Sequence, residues 1–137
     1  LAAYALVRDE GALAWVDIST GAFRVTPCST VRLPPELARL TPREVLVSET
    51  SERDLAETVS DCGAALTPLS RGSFDSTGAE ARLSALFKVG TLDAFGSFPR
   101  AEVSAMGAIV DDLELTPKGN LPRLRPPLSV LAAWQPL

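Results

Sequence analysis

The chain has 137 residues, a length that suits one domain with a single core burying roughly two-thirds of the unfolded surface. Hydrophobic residues make up 46% and charged residues 22%, which excludes a disordered chain, and no apolar run approaches the roughly 20 residues of a membrane-spanning helix. The net charge of −4 argues against a domain whose main task is gripping a phosphate backbone.

The first third carries strand signals. Leu1 to Val7 starts without an initiator Met or a basic leader and reads as a strand belonging to a longer chain. Leu13 to Ile18 follows behind Arg8-Asp9-Glu10-Gly11, a charged turn ending in glycine that suits an antiparallel hairpin. Ala22 to Thr26 alternates Phe23 and Val25 against Arg24 and Thr26, giving a three-strand meander.

Helix and strand then alternate. Leu33, Leu37 and Leu40 fall at helical spacing behind Pro34-Pro35, and Pro42 prevents continuation. Glu44 to Val47 reads as a fourth strand. Ser51 opens a second helix with Leu55, Val59 and Cys62 on one face, Gly63 stops it, and Ala64 to Leu69 supplies a fifth strand. After a loop from Ser70 to Asp75, Thr77-Gly78-Ala79-Glu80 has capping-box spacing for a third helix with Ala79, Leu83, Leu86 and Phe87 as its stripe and Gly90 as C-cap. The last helix is expected from about Pro99 to Leu115. Val103, Met106, Val110 and Leu113 form its core face, and Ala101, Ala105, Gly107 and Ala108 keep it thin enough to pack closely against a neighbour.

From Pro117 to the end, prolines at 117, 122, 126, 127 and 136 predict an extended exit linker, so the expected division is a domain over 1–116 and a linker over 117–137. Lys118, Arg123 and Arg125, with no acidic residue after them, make that segment basic. It reads as a solvated linker, with a place near DNA in a larger assembly as the less favoured reading. Three meandering strands followed by helix, strand, helix and strand predict an α/β domain with a mixed five-stranded sheet and flanking helices, in the order of a ribonuclease H-like architecture.

The chemistry is narrowed by what the sequence lacks. There is no histidine, which excludes Ser-His-Asp and Cys-His nucleophile activation and removes the usual nitrogen ligands of a catalytic zinc. Neither a G-x-x-x-x-G-K-[ST] phosphate loop nor a G-x-G-x-x-G string occurs. Cys28 and Cys62 form no C-x-x-C pair and read as free thiols of a cytoplasmic protein. The string Asp17-Ile18-Ser19-Thr20-Gly21 superficially resembles an aspartic-protease signature, but two extra residues separate Asp17 from Thr20-Gly21 and no second copy exists. It reads instead as a turn in which Asp17, Ser19 and Thr20 bond nearby amides and Gly21 supplies positive φ.

A ribonuclease H-like nuclease would need carboxylates from several elements to hold two metal ions. The first strand has none, and Asp111, Asp112 and Glu114 read more simply as the polar face of a helix. A stacking platform for single-stranded nucleic acid is also missing, since Trp15 and Phe23 lie in strands.

Several segments, in order, resemble the connector domain of the MutS family. They are Leu1-Ala2-Ala3 with Gly11 to Phe23, Glu36 to Val47, Leu86 to Gly96 with Thr91-Leu92-Asp93-Ala94-Phe95-Gly96, and Ala105-Met106-Gly107-Ala108 through Leu113-Glu114-Leu115-Thr116-Pro117-Lys118-Gly119. The similarity covers about residues 1 to 127 and departs at Pro117, where the family usually has Gln. It implies a ribonuclease H-like fold without catalytic, cofactor or metal residues. By the same resemblance the domain is a bacterial cytoplasmic module between a mismatch-binding domain and an ATPase and clamp. Its partners would be the other domains of its own chain and MutL, with ATP, Mg²⁺ and mismatched DNA bound elsewhere in the full-length protein. The isolated domain is expected to be a monomer. The alternative from another class is a metal-dependent nuclease of the same fold.

Overall fold

A computed structural model describes residues 1–17, 19–90, 98–115, 124 and 126–129. Among these residues six strands, β1 (Ala2–Val7), β2 (Glu10–Asp17), β3 (Ala22–Pro27), β4 (Glu44–Ser48), β5 (Ala65–Leu69) and β6 (Leu128–Ser129), form one sheet in the order β5-β4-β1-β2-β3-β6. Antiparallel pairing joins β1, β2 and β3, whereas β4 runs parallel to β1 and β5 parallel to β4. The five-stranded mixed sheet expected from the sequence is therefore present. To it the proline-rich segment adds the two-residue β6, parallel to β3 with Leu128 opposite Arg24, behind a buried Pro127. Residues 117–123, 125 and 130–137 of the expected exit linker, and Ile18, lie outside the described residues.

Among the described residues four helices cover the sheet: α1 (Leu33–Leu40), α2 (Glu52–Asp61), α3 (Ser76–Phe87) and α4 (Arg100–Leu115). Strand alternation divides the interior into two cores. Ala2, Tyr4, Leu13, Val45 and Val47 point toward Leu33 and Leu37 of α1 and Leu55 and Val59 of α2. Ala3, Ala5, Ala14, Val16, Phe23, Val25 and Leu46 point the other way, toward Ala79 and Leu83 of α3 and most of α4. The result is helix, sheet and helix in three layers.

Local detail departs from the sequence reading at three points. The hairpin turn between β1 and β2 is two residues, Arg8-Asp9, with Val7 opposite Glu10. Arg8 takes φ 59° because so short a connection needs positive φ to match the strand twist. Helix α3 is capped not by a Thr77…Glu80 box but by Asp75, whose Oδ2 accepts from Gly78 N at 3.1 Å. At its other end the left-handed residue is Lys88 (φ 56°), not Gly90. A lysine there carries the steric cost that glycine avoids, so Lys88→Gly is expected to stabilise the domain by about 1 kcal/mol in chemical denaturation.

The loop before α3, Arg71–Phe74, forms one 3-10 turn against α4. Ser73 Oγ donates to Asp111 Oδ2 at 2.5 Å, Arg82 Nη2 donates to Ser73 O at 3.0 Å, and Ser104 Oγ donates to Phe74 O. These bonds tie the turn, α3 and α4 together.

Candidate functional site

Helix α4 is the element around which one half of the molecule is built. All ten residues from Ala101 to Val110 are buried. A helix buried on every side lies between layers rather than on top of one. On its sheet side the facing strand residues are small, Ala3, Ala5 and Ala14, so the helix approaches closely. On its other side, a Cβ placed on Gly107 would overlap Ala79 Cβ and come within 2.8 Å of Ala79 Cα, which makes glycine the residue that lets α3 and α4 touch.

Of the residues predicted for the core face, Met106 and Val110 are 0% exposed, Val103 is buried, and Leu113 is partly buried against the same cluster. Ile109, left out of that stripe, is equally buried. Because Val110 is wholly buried in this core cluster, Val110→Ala is expected to cost about 1 to 3 kcal/mol in denaturation of the domain, through the cavity it leaves.

The Asp17–Gly21 segment joins β2 to β3. Asp17 Oδ1 accepts from Ser19 N at 3.0 Å and from Ser19 Oγ at 2.6 Å, Thr20 Oγ1 accepts from Ala22 N at 3.2 Å, and Gly21 N donates to Asp17 O at 2.7 Å. Gly21 has φ 79°. The hydrogen bonds from the Ser19 hydroxyl and then the Ser19 amide hold the Asp17 carboxyl below its ordinary range. These four residues close a surface turn through hydrogen bonds among themselves and from Ala22 N.

The acidic residues of β4 and of the last turns of α4 are Glu44, Asp111, Asp112 and Glu114. Glu44 Oε2 accepts from Thr67 Oγ1 at 2.5 Å, and Asp111 is engaged by Ser73, with Arg82 Nε 3.9 Å from its Oδ1. Burial, then the charges of Glu44 and Asp111, raise the Asp112 carboxyl above its usual range. Among the described residues no group of three or more His, Cys, Asp or Glu is arranged to hold a metal ion. The nuclease alternative thus finds no supporting geometry there. Asp111 is also more than the solvated helix face expected of it, since it is a fastener between α4 and the 3-10 turn. Arg82, one position before the core residue Leu83, was the available signal for such a partner.

Sequence reasoning missed Glu102. It lies in the first turn of α4, 3% exposed, and its Oε1 is buried without a hydrogen-bond partner. Burial alone pushes its carboxyl up to about 7. The charge pattern gave no warning, because Glu102 near a helix N-terminus looks like an ordinary surface residue favoured by the helix dipole.

The architecture defines an α/β domain with a mixed sheet between two helical layers, one of which holds a helix buried along Ala101 to Val110. The chain belongs to the MutS domain II family: residues 1–125 match the sequence model described as MutS domain II. It is 61% identical over 132 residues to a protein of Cereibacter sphaeroides named DNA mismatch repair protein MutS, covering 96% of this chain and 15% of that relative. Proteins of the same name from Paracoccus denitrificans (62% over 128 residues) and Roseobacter denitrificans (58% over 127 residues) each cover 93% of this chain and 14% of the relative. The chain therefore spans about 15% of the length of the curated relatives it matches. No helix among the described residues is long and apolar enough to cross a membrane.

Proposed function

We propose that this domain is a non-catalytic connector of a DNA mismatch-repair protein, relaying between a mismatch-binding domain and an ATPase and clamp, and offering a docking face to MutL. The observation that carries the reading is the dense core around α4: ten consecutive buried helical residues, locked to the sheet on one side and to α3 and the 3-10 turn on the other. A domain so built moves as one body, and a relay between sites needs such a body with its compliance at the ends. The strand order β3-β2-β1-β4-β5, with β2 antiparallel to its neighbours, supports the ribonuclease H-like description.

ATP and Mg²⁺ would bind elsewhere in the longer protein, a reading supported by the lack of a phosphate-loop string in this sequence. Mismatched DNA would likewise be met by other domains, in the cytoplasm at the nucleoid.

Docking is tested by titrating the fluorescently labelled domain with a MutL N-terminal domain. Saturable binding is expected, and its absence up to high micromolar concentration overturns the docking part. The relay is tested in the full-length protein with Val110→Ala, which is expected to weaken the response of ATP turnover to mismatched DNA more than it weakens either DNA binding or basal turnover. Equal loss of all three, or no loss, overturns it.

A further inference from the structure

Glu102, its Oε1 enclosed and without a partner, is one of the residues lining a groove of about 470 Å³ at the end of the molecule where the β1–β2 turn, the end of β3 and the start of α4 meet. Asp9, Glu10, Cys28, Arg32 and Pro99 line it with Glu102. A second hollow of about 570 Å³ along the same turn shares Asp9, Glu10 and Pro99 and is bordered by Arg8 and Arg100. Three acidic residues and one arginine thus line the first groove. The Cys28 thiol adds no charge, since burial, with the nearby Glu36 carboxylate, pushes it up to about 11. The two ion pairs seen among the described residues, Arg39 with Glu36 and Arg82 with Asp111, lie elsewhere.

A buried polar atom without a partner is uncommon, and a carboxylate in that position is costly to keep. An apolar guest would seal the groove and leave Glu102 Oε1 unpaired. An anion would meet three like charges, and a neutral donor would supply the hydrogen bond without the charge. A cationic side chain supplies both, and a guanidinium can bond both carboxylate oxygens at once. No described cluster suits a metal ion, which leaves the cation of a polypeptide.

We propose that this groove is a socket for an arginine or lysine side chain from another segment of the longer protein, with Glu102 as its buried counter-ion. A partner that comes and goes would leave the carboxylate unpaired at each departure, whereas a contact within the same polypeptide keeps it filled. The curated relatives carry about 85% of their length outside this domain, by subtraction of the 15% it covers, so segments able to supply the cation are abundant. The inference rests on the connector reading in one respect only, that other domains of the chain lie against this one.

The test uses the full-length protein. Its structure, at a resolution that shows side chains, is expected to place a guanidinium or ammonium nitrogen from outside residues 1–137 within about 4 Å of the Glu102 carboxylate, the range of an ion pair. Hydrogen–deuterium exchange is then compared between the native protein, Glu102→Gln and Glu102→Leu. Loss of the counter-ion is expected to speed exchange at residues 9–11 and 28–32 by about tenfold or more in both variants, as a broken buried pair does. Water or a residue of 1–137 in the groove, or a cation donated only by a separate protein, overturns the socket. Unchanged or slower exchange in both variants does so too, since an unfilled groove gains from losing a buried charge. If other domains touch this one on different faces, the connector reading survives that failure. If they touch it nowhere, both fall.

Discussion

Replacing Gly11 by alanine is expected to cost the isolated domain about 4 kcal/mol. Gly11 is read from the sequence as the end of a turn, but it lies inside β2 opposite Leu6, and its importance is steric. The Tyr4 phenol crosses directly over it to donate to Cys28 O at 2.7 Å, and Cys28 N donates to Gly11 O at 2.9 Å. A Cβ at residue 11 would overlap both Tyr4 Oη and Cys28 O and lie 2.9 Å from Tyr4 Cζ. One of these is backbone and cannot swing aside. The substitution therefore adds overpacking of about 1 to 3 kcal/mol to the loss of a buried hydrogen bond whose stranded groups cost about 1 to 3 kcal/mol more. Strand propensity, which mildly favours alanine over glycine, is too small to change the sign. Denaturation of the variant beside Tyr4→Phe separates the two contributions, since Tyr4→Phe removes the bond without the clash. Equal effects from the two would refute the steric argument.

The second large effect is a pH dependence centred on Glu102. Burial raises its carboxyl from 4.5 to about 7, so the fold favours the protonated form. The stability linked to that proton is fully present below about pH 4.5 and is lost as pH rises through about 7. A shift of this size corresponds to about 3 kcal/mol. Asp112, also raised, slopes the same way, and Asp17, lowered, slopes the opposite way, so the whole-domain profile mixes several groups. The difference between the native domain and Glu102→Gln isolates one. The two are expected to have similar stability near pH 4 and to separate progressively, with Glu102→Gln ahead by about 3 kcal/mol at pH 8. Parallel profiles across that range would show that Glu102 is not held in the interior. In the full-length protein, where the proposed cation fills the groove, the same substitution is expected to loosen the region instead, and that reversal ties the pH effect to the socket.

Element order was legible because each element announces itself over a few neighbouring residues. Pro34-Pro35 and Pro42 bracket α1, Gly63 with φ 84° ends α2, and Asp17 to Gly21 carry the hydroxyls and the glycine that a turn uses. Caps were less legible, because the bond that decides between Asp75 and Thr77 depends on the path by which the loop enters the helix. The parallel partnership of β4 with β1 was implied by the alternation of helix and strand, but its register, Ala2 opposite Val45, was not.

By itself the sequence determined the fold class, the meander, the four helices and the family, since these rest on local periodicity and on residues read in order. Only the tertiary structure decided which surfaces of α4 are interior. A one-sided stripe of Val103, Met106, Val110 and Leu113 predicts a helix lying on the sheet. Alanines on both the helix and the strands, with Gly107 against Ala79, instead let the helix sink between two layers. That depth of packing encloses Glu102 and Ser104, and it converts Asp111 from a surface charge into a tie between α4 and the turn before α3. Burial of this kind is a sum over neighbours distant in sequence, and no window along the chain contains it.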